Sequence, residues 1–235
     1  MSTSTASATT PTRRRLLRLG RGALAMVLFA VPFVLIGFAV RQKFDPLVHL
    51  DQTIAEHATD VTRSVGAGPA LIVLQAVSQP WVLYIVATLV CVWAWLVKGL
   101  RNRALWAFVT MMVGWNLALD AKLLVQRARP VIHDPISHAP GFSFPSGHAA
   151  NAAIIATTMV FLLWPVLSHG GRRVAVTLAV VGAFVVGLDR IFLGVHFMSD
   201  VLAAWILGVG TTFSSWQGFI GRTSPTSSAG PSHPA

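Results

Sequence analysis

The sequence predicts an all-α integral membrane protein, a bundle of six transmembrane helices with both termini in the cytoplasm. Hydrophobic residues make up 54% of the 235 residues and charged residues only 11%, whereas soluble domains average about 25% charged residues. The apolar residues fall into runs of about the length that crosses hydrocarbon. The basic residues behind the net charge of +10 lie in short clusters between these runs. That arrangement is a topology signal, so we expect no nucleic-acid partner.

The chain is expected to divide into a disordered basic N-terminal tail, a transmembrane domain and a disordered C-terminal tail, at 1–21, 22–219 and 220–235. The six spans are predicted at 22–40, 80–97 (after a shorter apolar piece and a break at Ser78-Gln79-Pro80), 104–125, 147–166, 174–188 and 200–219. A basic region before an apolar run is also typical of signal peptides. The first run is long for such a segment, and no convincing cleavage site precedes Arg41.

Two connecting segments have their own character. Residues 41–68 are predicted to form an amphipathic helix on the membrane surface. Four of their apolar residues recur at helical spacing, namely Leu47, Leu50, Ile54 and Val61. Residues 126–145 contain four prolines and are predicted to be a loop. The single cysteine, Cys91, lies in an apolar run, which indicates a packing role.

The distribution of charge sets the predicted orientation. With both termini in the cytoplasm, the cytoplasmic segments contain eleven basic residues and no acidic one, namely Arg13, Arg14, Arg15, Arg18, Arg21, Lys98, Arg101, Arg103, Arg172, Arg173 and Arg222. The opposite side contains the remaining seven basic residues and all eight acidic ones. Every loop then agrees with the positive-inside rule.

Three groups of polar residues fall together on the predicted outer side. They are Lys122, Arg127 and Arg129 at the end of the third span, Ser146, Gly147 and His148 at the start of the fourth, and Arg190, His196 and Asp200 between the fifth and sixth. Ionisable residues beside membrane spans are costly and usually functional. Chance placement of all three groups at one face is therefore a poor explanation, and we expect a site there.

The spacing of His196 and Asp200 indicates a supported nucleophile. The two residues are four apart, one helical turn, so the carboxylate is within reach of a ring nitrogen. A carboxylate there fixes the tautomer and stabilises a positive imidazolium, leaving the other nitrogen free to attack. A structural hydrogen-bonded pair is the alternative.

Three cations indicate a phosphate site. Lys122 and Arg129 are seven residues apart, two helical turns, and are predicted to share one face. Together with Arg190 they provide the charge that neutralises a phosphate. Because the cations do this, no metal and no other cofactor is predicted. The alternative for Lys122 and Arg129 is snorkelling to the membrane interface.

The start of the fourth span indicates an anion cradle with a proton donor. Pro145 ends the preceding segment, and Ser146 is a good N-cap residue, so free amides are expected to face an anion. His148 in the first turn is able to protonate a leaving oxygen. An ordinary capped helix with an incidental histidine is the alternative. Two histidines in two roles, inside a cationic pocket, predict phosphoryl transfer through a phosphohistidine.

These motifs resemble those of the type 2 phosphatidic acid phosphatases, membrane lipid phosphatases in the superfamily that also contains vanadium haloperoxidases. The family signature is Lys, six residues, Arg-Pro; then Pro-Ser-Gly-His; then Ser-Arg, five residues, His, three residues, Asp. This sequence has Lys122 and Arg129-Pro130, then Pro145-Ser146-Gly147-His148, then Arg190, His196 and Asp200 at those spacings. The one departure is Asp189, where the family usually has serine.

The resemblance implies a role for each matched residue. His196 would be the nucleophile, Asp200 its orienting partner, and His148 the general acid and then the base that activates water. The phosphate would be bound by Lys122, Arg129, Ser146, Gly147 and Arg190. The extra carboxylate of Asp189 would either weaken the hold of Arg190 on phosphate or bias the choice of substrate, and the sequence leaves both open.

The resemblance also implies a function. We expect a phosphatase in the inner (plasma) membrane, with its active site on the periplasmic or extracellular side, acting on a lipid phosphate or diphosphate. Undecaprenyl diphosphate is favoured, and phosphatidylglycerol phosphate, phosphatidate and a polyprenyl-linked phosphate stay open. A phosphotransferase and a non-catalytic lipid-phosphate binder or transporter are the alternatives. The expected partners are the lipid substrate and the bilayer, and the sequence does not indicate an oligomeric state.

Overall fold

The computed structural model describes residues 11–219, and these residues form helices and no strand. The helices are α1 (Pro11–Arg41), α2 (Asp45–Ser64), α3 (Gly68–Val77), α4 (Pro80–Leu96), α5 (Arg101–Val125), α6 (Gly147–Leu163), α7 (His169–Phe192) and α8 (Met198–Phe219). The all-α prediction is confirmed for this part of the chain. The tail predicted at 220–235 and the first ten residues lie outside the described residues.

Three helices are long and apolar enough to cross a membrane, namely Arg15–Arg41, Arg101–Val125 and His169–Phe192. A fourth candidate is the pair α3 and α4, which bends by 46° at the break that the sequence predicts around Ser78 and Gln79. α6 is apolar but has 17 residues, and α8 carries several Ser, Thr and Gly residues among its apolar ones. By length and composition, residues 11–219 therefore contain three or four candidate spans, and the six-span bundle stays a prediction.

The N-terminal helix corrects one predicted boundary. α1 begins at Pro11, so residues 11–21, which we assigned to a disordered tail, form its first turns. Proline is favourable at the start of a helix, and the leucines and arginines that follow are strong helix formers. The basic stretch therefore continues the first apolar helix instead of preceding it as a loose tail.

α2 is the amphipathic helix predicted within 41–68. The side that packs against the protein is small and polar, and its buried residues are Asp51, Ala55, Ala58, Thr59 and Thr62. Leu50 and Val61, from the apolar pattern, remain 54% and 50% exposed. Leu47 and Ile54 are partly buried against the core, so the periodicity identified the helix and half of its covered side.

The helices pack closely through small residues. Alanine is the commonest buried apolar residue in the described chain, and glycine permits the closest approaches. A Cβ atom at Gly208 of α8 would lie 2.8 Å from the Cβ of Ala153 on α6, and one at Gly187 of α7 would lie 2.3 Å from the Trp205 ring. Small residues at such contacts are typical of helix packing in membranes, and they let α6, α7 and α8 approach one another closely.

The α7–α8 connection is shorter than predicted. We expected a span at 174–188 and a loop at 189–199, but α7 continues to Phe192 and α8 begins at Met198. Arg190 therefore lies in the last turn of a helix. The turn requires glycine at position 194, where φ is +71° and a Cβ would approach Thr59 Oγ1 to 3.0 Å.

Labelling of single cysteines tests the predicted topology. In a Cys91→Ala background, we expect Asn102→Cys, at the exposed start of α5, to react with a membrane-impermeant maleimide only from the cytoplasmic side. Val131→Cys is the matched control at an 85% exposed position and should react only from the outside. Reaction of Asn102→Cys from the outside in intact cells would contradict the orientation.

Candidate active site

His196 and Asp200 meet at the junction of α7 and α8. The Nδ1 atom of His196 lies 3.5 Å from Oδ2 of Asp200 and 3.4 Å from Oγ of Ser143. Ser143 donates a hydrogen bond to Asp200, and the amide of Phe197 donates to the same oxygen at 2.9 Å. The Nδ1 side of the ring is therefore occupied by its support. The Nε2 atom faces Arg129, whose Nη1 atom is 3.1 Å away.

Burial favours the neutral form of the His196 ring. Its side chain is almost completely buried, and burial lowers its pKa to about 4, although Asp200 acts in the opposite direction. A neutral imidazole with its proton on Nδ1, towards the carboxylate, carries a lone pair on Nε2. The geometry thus presents Nε2 as a nucleophilic nitrogen.

Lys122 and Arg129 meet, but not through a shared helical face. α5 ends at Val125, and Gln126 adopts a left-handed conformation with φ of 53°, so Arg129 lies in the following loop. Both cations reach the carbonyl of Phe142, Lys122 at 2.5 Å and Arg129 at 3.4 Å. The prediction from helical spacing was wrong about the local structure, and the fold of the loop is what brings the two residues together.

Backbone carbonyls hold the Arg129 guanidinium in place. It donates to the carbonyl oxygens of Val195 at 2.7 Å, Pro140 at 2.9 Å and Gly141 at 3.0 Å. Neutral carbonyls satisfy its donors without cancelling its charge. Burial and the neighbouring Arg190 lower the pKa of Arg129, while Asp200 raises it, and the side chain keeps its positive charge.

Arg190 is the most deeply buried of the three predicted phosphate-binding cations. It is 2% exposed. Its Nη2 atom donates to Asp189, and Nη1 donates to Gln75 Oε1 at 3.1 Å. Its carbonyl oxygen accepts the amide of His196 at 3.2 Å, which fixes the position of His196 relative to the end of α7.

Ser146, Gly147 and His148 begin α6 as predicted, but the serine side chain does not cap the helix. Ser146 is the N-cap residue, yet its Oγ accepts no capping hydrogen bond, and its amide donates to the Asp200 carbonyl at 3.2 Å. A Cβ at Gly147 would meet nothing within 4 Å. The start of α6 is therefore joined to the His196–Asp200 pair and has open space beside Gly147.

Buried polar atoms without a partner are concentrated in these residues. In residues 11–219, five buried side-chain nitrogen or oxygen atoms lack a hydrogen bond, namely Ser146 Oγ, His148 Nε2, Arg190 Nε, Asp189 Oδ1 and Ser214 Oγ. Leaving such a group unsatisfied costs about 1–3 kcal/mol, so each one needs an explanation. Three of the five belong to residues predicted to contact a phosphoryl group, and they have the chemistry to bind its oxygens.

The sequence motifs did not reveal the network that supports Asp200. Arg127 donates to Asp200 Oδ1, Asp51 Oδ2 and Ser199 Oγ, each at 2.7 Å. Asp51 also accepts the Ser199 amide at 3.0 Å and its hydroxyl at 2.5 Å. We had grouped Arg127 with the cations at the end of the third span, but two carboxylates neutralise it. The sequence feature that could have indicated Asp51 is its position as an acidic residue close to a predicted span.

Gln75 and Ser143 were also missed. Gln75 is the polar residue of the short apolar helix α3, and Ser143 lies in the loop before α6. An isolated polar residue in an apolar run was the signal for Gln75. Ser143 is one of several polar residues in an irregular segment, where periodicity provides no information.

Comparison with known proteins gives a consistent result. Residues 103–223, about half of the chain, match the PAP2 superfamily. The chain is 40% identical to phosphatidylglycerophosphatase B of Bacillus subtilis (strain 168) over 88 residues, which are 36% of this chain and 42% of that protein. It is 27% identical to undecaprenyl-diphosphatase BcrC of the same organism over 125 residues, 52% of this chain and 60% of that protein. The matched segments thus span only about half the length of these two relatives.

Two solved structures have the same fold. A transmembrane PAP2-type phosphatidylglycerolphosphate phosphatase from Bacillus subtilis superposes with a TM-score of 0.71 at 25% identity, over 85% of this chain and 98% of that one. LpxE from Aquifex aeolicus superposes with a TM-score of 0.51 at 22% identity, over 64% of this chain and 85% of that one. The resemblance inferred from three short motifs is confirmed: this chain belongs to the PAP2 superfamily.

Proposed function

We propose that the protein is an integral membrane phosphatase that hydrolyses a lipid phosphate or diphosphate through a phosphohistidine on His196. The observation that carries this proposal is the combination of a neutral histidine, oriented by Asp200, with unpaired buried polar atoms on Ser146, His148 and Arg190. The family relatives named as phosphatases of lipid phosphates support the same class of substrate. Because two lipids appear in those names, both are candidates for this chain.

In the first chemical step, Nε2 of His196 attacks phosphorus and the bond from phosphorus to the leaving oxygen breaks. The electron pair of that bond stays on the leaving oxygen, which takes a proton from Nε2 of His148. Lys122, Arg129 and Arg190 balance the negative charge on the non-bridging oxygens. Arg129 Nη1 lies 3.1 Å from the attacking nitrogen, so it is placed to contact the transferred group.

In the second step, water attacks the phosphohistidine. His148, now neutral, accepts a proton from that water, and the bond between phosphorus and Nε2 of His196 breaks. Its electron pair returns to the ring, inorganic phosphate leaves, and His148 is again protonated. Asp200 stabilises the positive His196 ring of the intermediate through Nδ1. The cycle needs only water as a second substrate.

We propose that this chemistry is independent of metal ions and takes place at the outer face of the plasma membrane. Three cations provide the charge that a metal would otherwise supply. The outer location follows from the asymmetry of basic residues in the six-span topology. A phosphotransferase would differ in having a lipid or sugar acceptor pocket beside His196. A binding protein or transporter would have no use for a nucleophile held by a carboxylate.

Phosphate release from a panel of lipids tests the function. The purified protein in detergent would be assayed on undecaprenyl diphosphate, phosphatidylglycerol phosphate, phosphatidate and a polyprenyl-linked phosphate, with His196→Ala as the control. We expect activity on at least one lipid, unchanged by EDTA and blocked by vanadate, which adopts a geometry like that of the transition state. Loss of activity in EDTA that a divalent ion restores would contradict the three-cation mechanism.

The two histidines should respond differently to the leaving group. His196→Ala should abolish phosphoenzyme formation and turnover on every substrate. His148→Ala should lose much of the ~10²–10⁴-fold contribution of general acid catalysis on an alkyl phosphate. It should lose less on an aryl phosphate, whose leaving oxygen needs no proton. Comparable loss of kcat/KM on both substrates in His148→Ala, or phosphate trapped on His148, would contradict the roles assigned to the two histidines.

Arg127 is expected to act as a positioning residue. Its side chain is 9% exposed and lies between Asp51 and Asp200, which are 2% and 0% exposed. Arg127→Ala leaves two buried carboxylates facing each other, and breaking a buried pair typically costs about 3–5 kcal/mol. We expect that loss in the free energy of unfolding in detergent, together with a fall in kcat that exceeds the change in KM.

Arg173→Ala, which removes an exposed cation of α7, is the matched control for this substitution. Exposed charges contribute little to stability, so the control should unfold like the unmodified protein. A stability for Arg127→Ala equal to that of the control would show that the network does not hold Asp200 in place.

A further inference from the structure

We propose that Asp189 makes this site prefer lipid phosphate monoesters to diphosphates, because it cancels one positive charge of the phosphate pocket. The inference rests on the proposed phosphatase function and names the class of head group within it. Asp189 is a specificity-determining residue in this view, since it acts on the substrate through Arg190 and takes no part in bond making or breaking.

The contact between Asp189 and Arg190 is buried and uses only one of the two carboxylate oxygens. The two side chains are 0% and 2% exposed and form an ion pair through Oδ2 and Nη2. The other carboxylate oxygen, Oδ1, has no hydrogen-bond partner in the described residues. A carboxylate needed only to anchor Arg190 would be expected to have both oxygens satisfied in a buried position. Its remaining effect is electrostatic, since a buried charge acts strongly on its neighbours.

The same contact fixes the orientation in which Arg190 can meet a substrate. Nη2 is occupied by Asp189, and Nη1 donates to Gln75 Oε1, which also accepts the hydroxyl of Ser137 at 3.1 Å. The Nε atom is left as the guanidinium nitrogen without a partner. These contacts use two of the five guanidinium donors, so Arg190 is held from two sides, and Nε is the nitrogen left entirely for a phosphoryl oxygen.

The charges of the pocket match a dianion. Lys122, Arg129, Arg190 and the protonated His148 of the proposed mechanism contribute four positive charges, and Asp189 removes one. Asp51 and Asp200 share the single cation Arg127, so this group removes one more. Two net positive charges remain. A phosphate monoester carries close to two negative charges at neutral pH, whereas a diphosphate monoester carries up to three. An uncompensated charge in a buried site is costly, so the monoester is the better match.

Two lipids with the same chain provide the test, namely farnesyl phosphate and farnesyl diphosphate. Initial kcat/KM values on both would be measured for the unmodified protein and for Asp189→Asn, which keeps the shape and a hydrogen-bond acceptor but removes the charge. The ratio of the two kcat/KM values is then compared between the two proteins. This comparison removes the intrinsic difference between the leaving groups, which is the same in both proteins. We expect the ratio to shift about tenfold towards the diphosphate, mainly through KM, as an added charge at short range predicts.

Binding without turnover gives a second readout. Inhibition constants for inorganic phosphate and for methylene diphosphonate should shift in the same direction in Asp189→Asn. Asp45→Asn removes an exposed carboxylate of α2 and is the matched control, with no shift expected in either ratio. Asp189→Ser is the second neutral variant and should reproduce the shift seen with asparagine.

The outcomes separate this inference from the function it rests on. An unmodified protein that releases no phosphate from any lipid of the panel refutes the phosphatase itself. An active protein whose substrate ratio is unchanged in both folded Asp189 variants overturns the specificity role alone. Equal loss on both lipids in both variants also overturns it, because that result would assign Asp189 to holding Arg190 and not to choosing the head group.

Discussion

The buried guanidinium of Arg127 is the interaction on which the rest of the site depends. It lies between Asp51 of α2 and Asp200 of α8 and contacts each carboxylate at 2.7 Å, with its face 3.9 Å from the Phe197 ring centre. Two buried carboxylates without a cation between them would repel each other and force one to take up a proton. Arg127 therefore fixes α2 against α8 and keeps Asp200 ionised beside His196.

The support and the pocket differ in how completely their polar groups are satisfied. Asp200 accepts hydrogen bonds from Arg127, Ser143 and the Phe197 amide, and these determine the position of the carboxylate towards His196. Three of the residues around the predicted phosphate position, Ser146, His148 and Arg190, instead have buried atoms without a partner in residues 11–219. A rigid, saturated support beside an unsaturated pocket is the arrangement that preorganises a site for a charged ligand.

Burying the cations of this site in an apolar bundle costs desolvation free energy, and contacts with polar partners offset that cost. Arg127 and Arg190 are paired with carboxylates, while Arg129 is held by neutral carbonyls and Lys122 by the Phe142 carbonyl. Satisfaction by carbonyls preserves positive charge for a ligand, whereas pairing with a carboxylate removes it. Whether each cation contacts a carbonyl or a carboxylate therefore determines the net charge of the pocket that we propose binds a phosphate.

The sequence by itself determined the helical class, the breaks between helices and the identity of the residues that meet at the site. Apolar periodicity and proline positions reflect local geometry, and the site residues were identified by their common predicted membrane face and by their match to the family motifs. It placed Arg129 on a helical face, although a left-handed residue at position 126 ends that helix first. Only the tertiary structure decided that Asp51 and Gln75 support Arg127 and Arg190, because these contacts join residues 76 and 115 positions apart. No local pattern encodes which distant side chains pack together.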